Sequence, residues 1–216
     1  MKVFYTDNWQ EIEKKLKKRG KTIFIDNSSK IKVKINDVTL EADLRDVLEF
    51  LANLGYDFVG LSKPDLNVKK IQDLDEVLNL EDFVTLNSLI KSMKAKEGSK
   101  ECGAIGIFVG FVREISNDKQ VVKLEYEKFD ELFSKKLKEI ENKLKSYEGV
   151  VDVKIHHKTG VLLPGEDIIY VVIMGKHRKD IWEPLEQSME IVKKELPIWK
   201  KEVYLNGEIW VHDKDV

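Results

Sequence analysis

The chain has 216 residues and a mass of 25.1 kDa, enough for one large domain or two small ones with a real hydrophobic core. Charged residues make up 35% and hydrophobic ones 42%, and a net charge of −2 points neither to nucleic acid nor to an anionic membrane as partner. The single cysteine, Cys102, excludes an internal disulfide and a multi-cysteine zinc site, so a reducing cytoplasm is the expected setting.

No apolar run approaches the roughly 18 residues that span a bilayer, and the charged MKVFYTDNWQEIEKK is no signal peptide. Four glutamines beside so many Lys and Glu residues would suit a thermophile. The first elements alternate strand and helix. Residues 2–6 (KVFYT) read as a strand, followed by a helix with Asn8 as N-cap, Glu11 three residues on, Trp9, Ile12 and Leu16 on one face and Gly20 as its stop. Thr22 to Asp26 reads as a buried strand, and Ile31, Val33 and Ile35 alternate with lysines in a half-exposed one that ends at an Asn36-Asp37 turn. Asp43 caps a second helix whose inner face is Leu44, Val47, Leu48, Leu51 and Leu54, with Gly55 behind it. Tyr56 to Leu61 returns as a strand, and the polar LSKPDLNVKKIQDLDEVLN reads as loop and connector.

This opening α/β unit, residues 1–78, lacks the glycine-rich turn that cradles phosphates. Thr6-Asp7-Asn8-Trp9 stands where a P-loop would lie. KKLKKRGKTIFI and LRDVLEFLANLGYDFVGLSKPDLNVKKI loosely resemble the accessory GTP-binding protein of molybdenum-cofactor guanylation. With the Walker motif gone, the resemblance implies a degenerate domain that no longer binds nucleotide; apart from the resemblance, the preferred reading of this unit is a structural or docking appendage.

A second unit, residues 79–216, opens with Leu86, Leu89, Ile90 and Met93 at helical spacing, and Gly98-Ser99 ends that helix. Gly103 to Arg113 (GAIGIFVGFVR) is an almost continuous apolar run rich in β-branched and aromatic residues, read as a buried strand. Its Gly103, Gly106 and Gly110 imply close backbone approach or a bulge. Val121 to Tyr126 is a strand after the Ser116-Asn117-Asp118 turn, and Asp130 to Ser146 is a long helix with Phe133, Leu137, Ile140 and Leu144 inside. Val150 to His156 and Ile168 to Met174 are strands around the Leu163-Pro164-Gly165-Glu166 turn. The order gives an α+β domain.

The end of the chain carries the chemistry. His177-Arg178, a helical run from about Asp180 to Glu195, and Leu196-Pro197-Ile198-Trp199-Lys200-Lys201-Glu202 place a histidine, an arginine and two groups of lysines around one helix and its exit. That arrangement suits an anionic substrate. Lys193, with Met189 four residues before and Leu196 three after, flanks the apolar stripe of Ile181, Leu185, Met189 and Val192, whereas Lys194 falls beside Glu190. A partly desolvated lysine among other cations gives up its proton more easily and serves as an acid/base or nucleophile. Alternation puts Lys200 opposite Trp199 and Val203, a pattern shared by any plain strand residue. His156 and His157 are strand neighbours that point to opposite faces and cannot share one ion.

GAIGIFVGFVR, LEYE, HKTGVLLPGEDIIYVVIMGKHR and PIWKKE, in this order over about residues 81–211, resemble the large, catalytic subunit of molybdopterin synthase. The resemblance implies an α/β hammerhead fold, a homodimer, and a separate ubiquitin-like sulfur-carrier subunit whose C-terminal Gly-Gly thiocarboxylate enters the pocket. Sulfur would pass to cyclic pyranopterin monophosphate and build the molybdopterin dithiolene. By match to the family, Lys193 and Lys200 are the catalytic lysines, and Phe111, Val112, Arg113, His177, Arg178, Lys201 and Glu202 bind substrate, with Lys201 and Glu202 lining one pocket. Arg113 can clamp phosphate or carboxylate through two parallel hydrogen bonds, and His177-Arg178 precede a helix whose free N–H groups favour an anion. Cys102 matches no nucleophile. These residues require no metal or redox cofactor. Lys179-Asp180 and Pro184 depart from the family pattern, the proline being tolerable only in the first helical turn. Two rival readings are a docking module that binds the carrier's tail without turnover and a nucleotide-binding regulator acting through residues 1–75.

Overall fold

The computed structural model describes residues 1–35, 38–65, 68–78 and 80–211, and the chain divides into two compact units between Ser88 and Leu89. The first contains β1 (Lys2–Tyr5), α1 (Trp9–Leu16), β2 (Thr22–Ile25), β3 (Ile31–Ile35), β4 (Val38–Ala42), α2 (Leu44–Asn53), β5 (Phe58–Leu61) and α3 (Leu74–Leu78). Strands β1, β5 and β2 form a parallel sheet in that order. Every residue of the central β5 is buried, because both faces are covered. Phe4 and Phe58 pack with Ile12, Leu16, Ile71 and Val77 on one face. Val59 and Leu61 pack with Ile25, Leu48 and Leu51 on the other. Gly60 leaves room for the Trp9 ring, since a Cβ there would lie 2.5 Å from it.

Several local expectations change. VTLEA is the partner strand of IKVKI in a β3–β4 hairpin, and the polar connector contains the short helix α3. The expected Asn36-Asp37 turn lies outside the described residues. Asn8 makes no side-chain cap bond; its amide donates to Glu11 (2.9 Å), and Thr6 Oγ1 accepts the Asn8 N–H (3.0 Å). Asp43 likewise makes no cap bond, while Gly55 follows α2 at φ +76°, where a side chain would be strained.

After α4 (Leu86–Lys94) and a 3-10 turn (Glu97–Glu101) come β6 (Ala104–Phe111), β7 (Ile115–Ser116), β8 (Lys119–Lys128), α5 (Asp130–Lys145), β9 (Val150–His157), β10 (Gly160–Leu162), β11 (Asp167–Gly175), α6 (Lys179–Glu195), β12 (Ile198–Tyr204) and β13 (Gly207–Val211). They build two antiparallel sheets, β6-β11-β9 and β10-β8-β12-β13, with β7 paired to β8. The second unit is thus mixed α+β. Val153, Ile155, Ile169, Val171 and Ile173 face Phe133, Ile140 and Leu144 of α5 and Ile181 and Val192 of α6. Each such side chain, fully buried, contributes roughly 1.5–3 kcal/mol, so this layer, rather than the surface ion pairs, fixes α6 on the sheet.

Four readings of this region are corrected. Gly98-Ser99 lies inside the 3-10 turn, because α4 already stops at Lys94. The apolar β6 is an edge strand and not a buried one: Ile107, Phe108 and Phe111 are exposed. Its Gly106 does mark a close approach, as a Cβ there would come within 2.1 Å of Ile181 Cγ2. Pro184 is buried in the second turn of α6, one turn beyond the position where the ring costs no hydrogen bond. Strands β7, β10 and β13 add to the expected set, β7 and β8 being joined by Asn117 and Asp118, both at positive φ (50° and 59°).

Candidate functional site

Strand β12 separates the sequence-selected residues by face, because neighbouring strand side chains point to opposite sides. Lys200 lies opposite Tyr126 of β8, and Glu202 lies opposite Leu124. Leu124 and Tyr126 belong to an apolar core with Val112, Val121 and Leu162, against which Ile198 and Tyr204 also pack. Lys200 and Glu202 therefore form an ion pair, Nζ to Oε1 3.1 Å, on the apolar side of the sheet. Glu202 is 7% exposed. A carboxylate this dry needs partners. Burial pushes its carboxyl up, but hydrogen bonds from Tyr204 and Lys200 outweigh that, and the Lys200 and Arg113 charges add to them, leaving Glu202 below the usual carboxylate range.

Lys201 faces the other way. It pairs with Glu125 (2.7 Å), which also holds Lys123 (2.6 Å), and it reaches Glu208 (3.5 Å) and the Trp210 ring. The Glu125 hydrogen bond, ahead of the burial that opposes it, raises Lys201's pKa. Lys201 and Glu202, expected in one pocket, are on opposite faces of one strand.

Arg113, just past β6, is exposed, and its charge bears on both Glu202 and Tyr204. Phe111 is 59% exposed, whereas Val112 is 1% exposed and belongs to the core. The Val112 backbone is committed too, its N–H donating to Glu166 O (2.8 Å) and its carbonyl accepting from Gly165 (2.9 Å). Val112 therefore offers no side chain to a substrate in this arrangement, and alternation past Phe111 is the reason. Lys193 is in the last turn of α6 and exposed, as is Lys194. The expected difference in desolvation between them is absent in the single chain.

His177 and Arg178 are exposed at the start of α6. Their N-terminal anion position is partly taken by the protein itself: the His177 N–H donates to Asp180 Oδ2 (2.9 Å), and the ring Nδ1 lies 3.4 Å from the same oxygen. Arg178 and Lys193 are at opposite ends of a helix that rises about 1.5 Å per residue, roughly 20 Å apart along its axis. The strands agree, because Gly175, two residues before His177, pairs with Ala104 at the far end of β6 from Arg113. One chain thus gathers Arg113, Lys200 and Glu202 and keeps His177 and Arg178 away.

A cavity of about 400 Å³ lies at that far end, lined by Cys102, Ala104, Ile105 and Met174 among others. Burial, then the Glu101 charge, raises the Cys102 thiol's pKa. His156 and His157 point apart, one stacked 6.2 Å from Tyr170 and the other edge-on 4.9 Å from Tyr126. Sequence reasoning missed Tyr204 and Ser116 at the site, although period-2 alternation from Lys200 through Glu202 reaches Tyr204 directly.

The model of the MoaE protein family matches residues 81–195, more than half of the chain and the stretch that holds Arg113, His177, Arg178 and Lys193. The chain belongs to the MoaE family. It is 37% identical over 153 residues to the molybdopterin synthase catalytic subunit of Pyrococcus abyssi, covering 71% of this chain and 93% of that one. It is also 37% identical over 141 residues to a probable molybdopterin synthase of Haloferax volcanii, of which it spans about half (54%). Among solved MoaE-like structures, molybdopterin synthase from Staphylococcus aureus superposes with a TM-score of 0.53 at 28% identity, covering 61% of this chain and 93% of that one. A Helicobacter pylori complex of subunits 1 and 2 of molybdopterin-converting factor superposes at 0.50 and 29%, covering 61% and 86%. The family model's match falls almost entirely within the second unit. No helix among the described residues is long and apolar enough to cross a membrane.

Proposed function

We propose that this MoaE-family chain is a molybdopterin synthase catalytic subunit, a sulfurtransferase of the reducing cytoplasm with an α/β hammerhead second domain. It moves sulfur from a thiocarboxylated ubiquitin-like carrier to cyclic pyranopterin monophosphate. The observation that carries the reading is the Lys200–Glu202 pair, its carboxylate buried on the apolar face of β12 and within reach of the Arg113 charge. Each transfer forms a C–S bond on the pterin in place of a C–O bond, whose oxygen leaves protonated, and breaks the carrier's acyl C–S bond, with water supplying the oxygen of the carboxylate left behind. Lys200, oriented by Glu202, and Lys193 handle the acyl end and its protons. Arg113, with its planar fork, holds an anionic oxygen, and Phe111 supplies an apolar wall. His177 and Arg178 are too far from Lys200 within one chain to share its pocket. They complete it from a second copy, and the apolar β6 edge, with Ile107, Phe108 and Phe111 exposed, is the surface that favours such a homodimer. The carrier is a separate polypeptide, a reading supported by the similarity to a Helicobacter pylori complex of subunits 1 and 2 of molybdopterin-converting factor. Residues 1–78 serve as a docking or structural appendage.

The test mixes the purified chain with thiocarboxylated carrier and cyclic pyranopterin monophosphate and reads molybdopterin as its fluorescent oxidised pterin. Wild type forms product, and Lys200→Ala and Lys193→Ala each lose at least about a hundredfold, the range expected when a general acid or base is removed. Full transfer by both variants would leave only a docking module.

A further inference from the structure

Beyond the lysines and arginines, a tyrosine hydroxyl holds Glu202. Glu202 has two oxygens and two different partners: Oε1 takes Lys200 Nζ at 3.1 Å, and Oε2 accepts the Tyr204 O–H in a short hydrogen bond. The three side chains are at alternate positions of β12 and so share its apolar face. Tyr204 is fixed from several directions. It pairs with Val121 just past a β-bulge in the β12–β8 ladder, its ring packs against the Val112–Leu124–Tyr126 core, and Lys119 Nζ lies 5.5 Å over the ring. The Ser116 hydroxyl, on a residue 7% exposed beside the tight Asn117-Asp118 turn, is close enough to the phenol to favour its ionised form, against the Glu202 hydrogen bond that raises the phenol's pKa. A carboxylate with one oxygen tied to a fixed phenol cannot rotate away from its lysine.

We propose that Tyr204 is a positioning residue of the synthase site, locking the Glu202 carboxylate so that its other oxygen aims Lys200 at the substrate, with Ser116 supporting the phenol. This rests on Lys200 acting in the reaction. Tyr204 touches no substrate in this scheme; it acts through Glu202 and Lys200. Its hydrogen bond also stabilises the ionised carboxylate, so losing it must raise the pH at which Glu202 takes a proton and lets Lys200 go.

The test uses the full chain with thiocarboxylated carrier and cyclic pyranopterin monophosphate, comparing Tyr204→Phe, Glu202→Gln, the double variant and Ser116→Ala. Phenylalanine keeps the ring, the packing and the Lys119 contact. Tyr204→Phe is expected to lower kcat roughly tenfold, the worth of one hydrogen bond to a charged group, with KM for the carrier unchanged. The acid limb of its pH profile moves to higher pH. In the Glu202→Gln background the same change has little further effect, because its target is already gone. Ser116→Ala moves the acid limb the same way by less. Additive losses in the double variant, or an acid limb that stays where wild type has it, would overturn the positioning role even if kcat falls. Should Tyr204→Phe not fold, Ser116→Ala carries the decision by the same limb. Lys200→Ala separates the two readings: full activity there refutes the site itself, whereas a dead Lys200→Ala beside an unshifted Tyr204→Phe refutes only this inference.

Discussion

At the residue scale, the contrast between Lys200 and Lys201 shows how much one step along a strand decides. Both are in ion pairs, but Lys200 pairs with a carboxylate 7% exposed on the apolar face, while Lys201 shares Glu125 with Lys123 on the other. Lys201→Ala is therefore expected to keep product formation within about threefold of wild type and to cost under about 1 kcal/mol, as partly exposed pairs do. A hundredfold loss of activity in Lys201→Ala would mean that the two faces of β12 meet one substrate. The alternation that separates these lysines was legible in PIWKKE, and the faces were not, because which side of a strand is covered depends on β8, 70 or so residues earlier. The same limit explains Val112. GFVR marks a strand end, yet only the closure of β8 and β10 beside it makes Val112 core and leaves Phe111 and Arg113 outside. Lys193 could be placed on the edge of the α6 stripe from spacing alone, but the solvent it meets depends on what docks beside it.

At the element scale, the helices and the long strands of the second unit follow from periodicity, and the short strands do not. Strands β7 and β10 have two and three residues, too few to repeat a pattern. The glycines of β6 carried real information. Gly106 lets α6 approach so closely that a Cβ would meet Ile181, itself 2% exposed and packed against Ile173 and Val171. Gly106→Ala must push α6 outward, and overpacking of this kind costs about 1–3 kcal/mol. A denaturant midpoint equal to wild type would show that Ile181 moves aside freely. Strand β9 contributes a pH effect through His156. Burial, and then the Lys158, His157 and Lys128 charges, lower its pKa to about 4, so the folded chain keeps the ring neutral where the unfolded chain, near the ordinary 6.5, would protonate it. The unfolded state binds the extra proton between these values. The stabilisation is full above about pH 6.5 and falls as pH drops toward 4, by up to about 3 kcal/mol. His156→Phe keeps a ring against Tyr170 and should flatten that part of the unfolding free energy measured against pH.

At the scale of the whole molecule, one chain holds two groups of cationic residues at opposite ends of α6, roughly 20 Å apart along the helix. The sequence lists them almost together, fifteen positions from Arg178 to Lys193, because a helix turns short sequence separation into length. A homodimer resolves this if Lys200 of one copy works with Arg178 of the other. Lys200→Ala and Arg178→Ala should each be inactive alone. In a mixed dimer one pocket then carries both substitutions and the other carries neither. Random re-association gives mixed dimers about half of the time with one sound pocket of two, so about a quarter of wild-type activity returns on mixing. If the two residues served one pocket within a single chain, every pocket in the mixture would still lack one of them, and mixing would restore nothing. The recovered fraction, measured after co-refolding the two variants in equal amounts, thus decides whether the separation along α6 is bridged by a second copy.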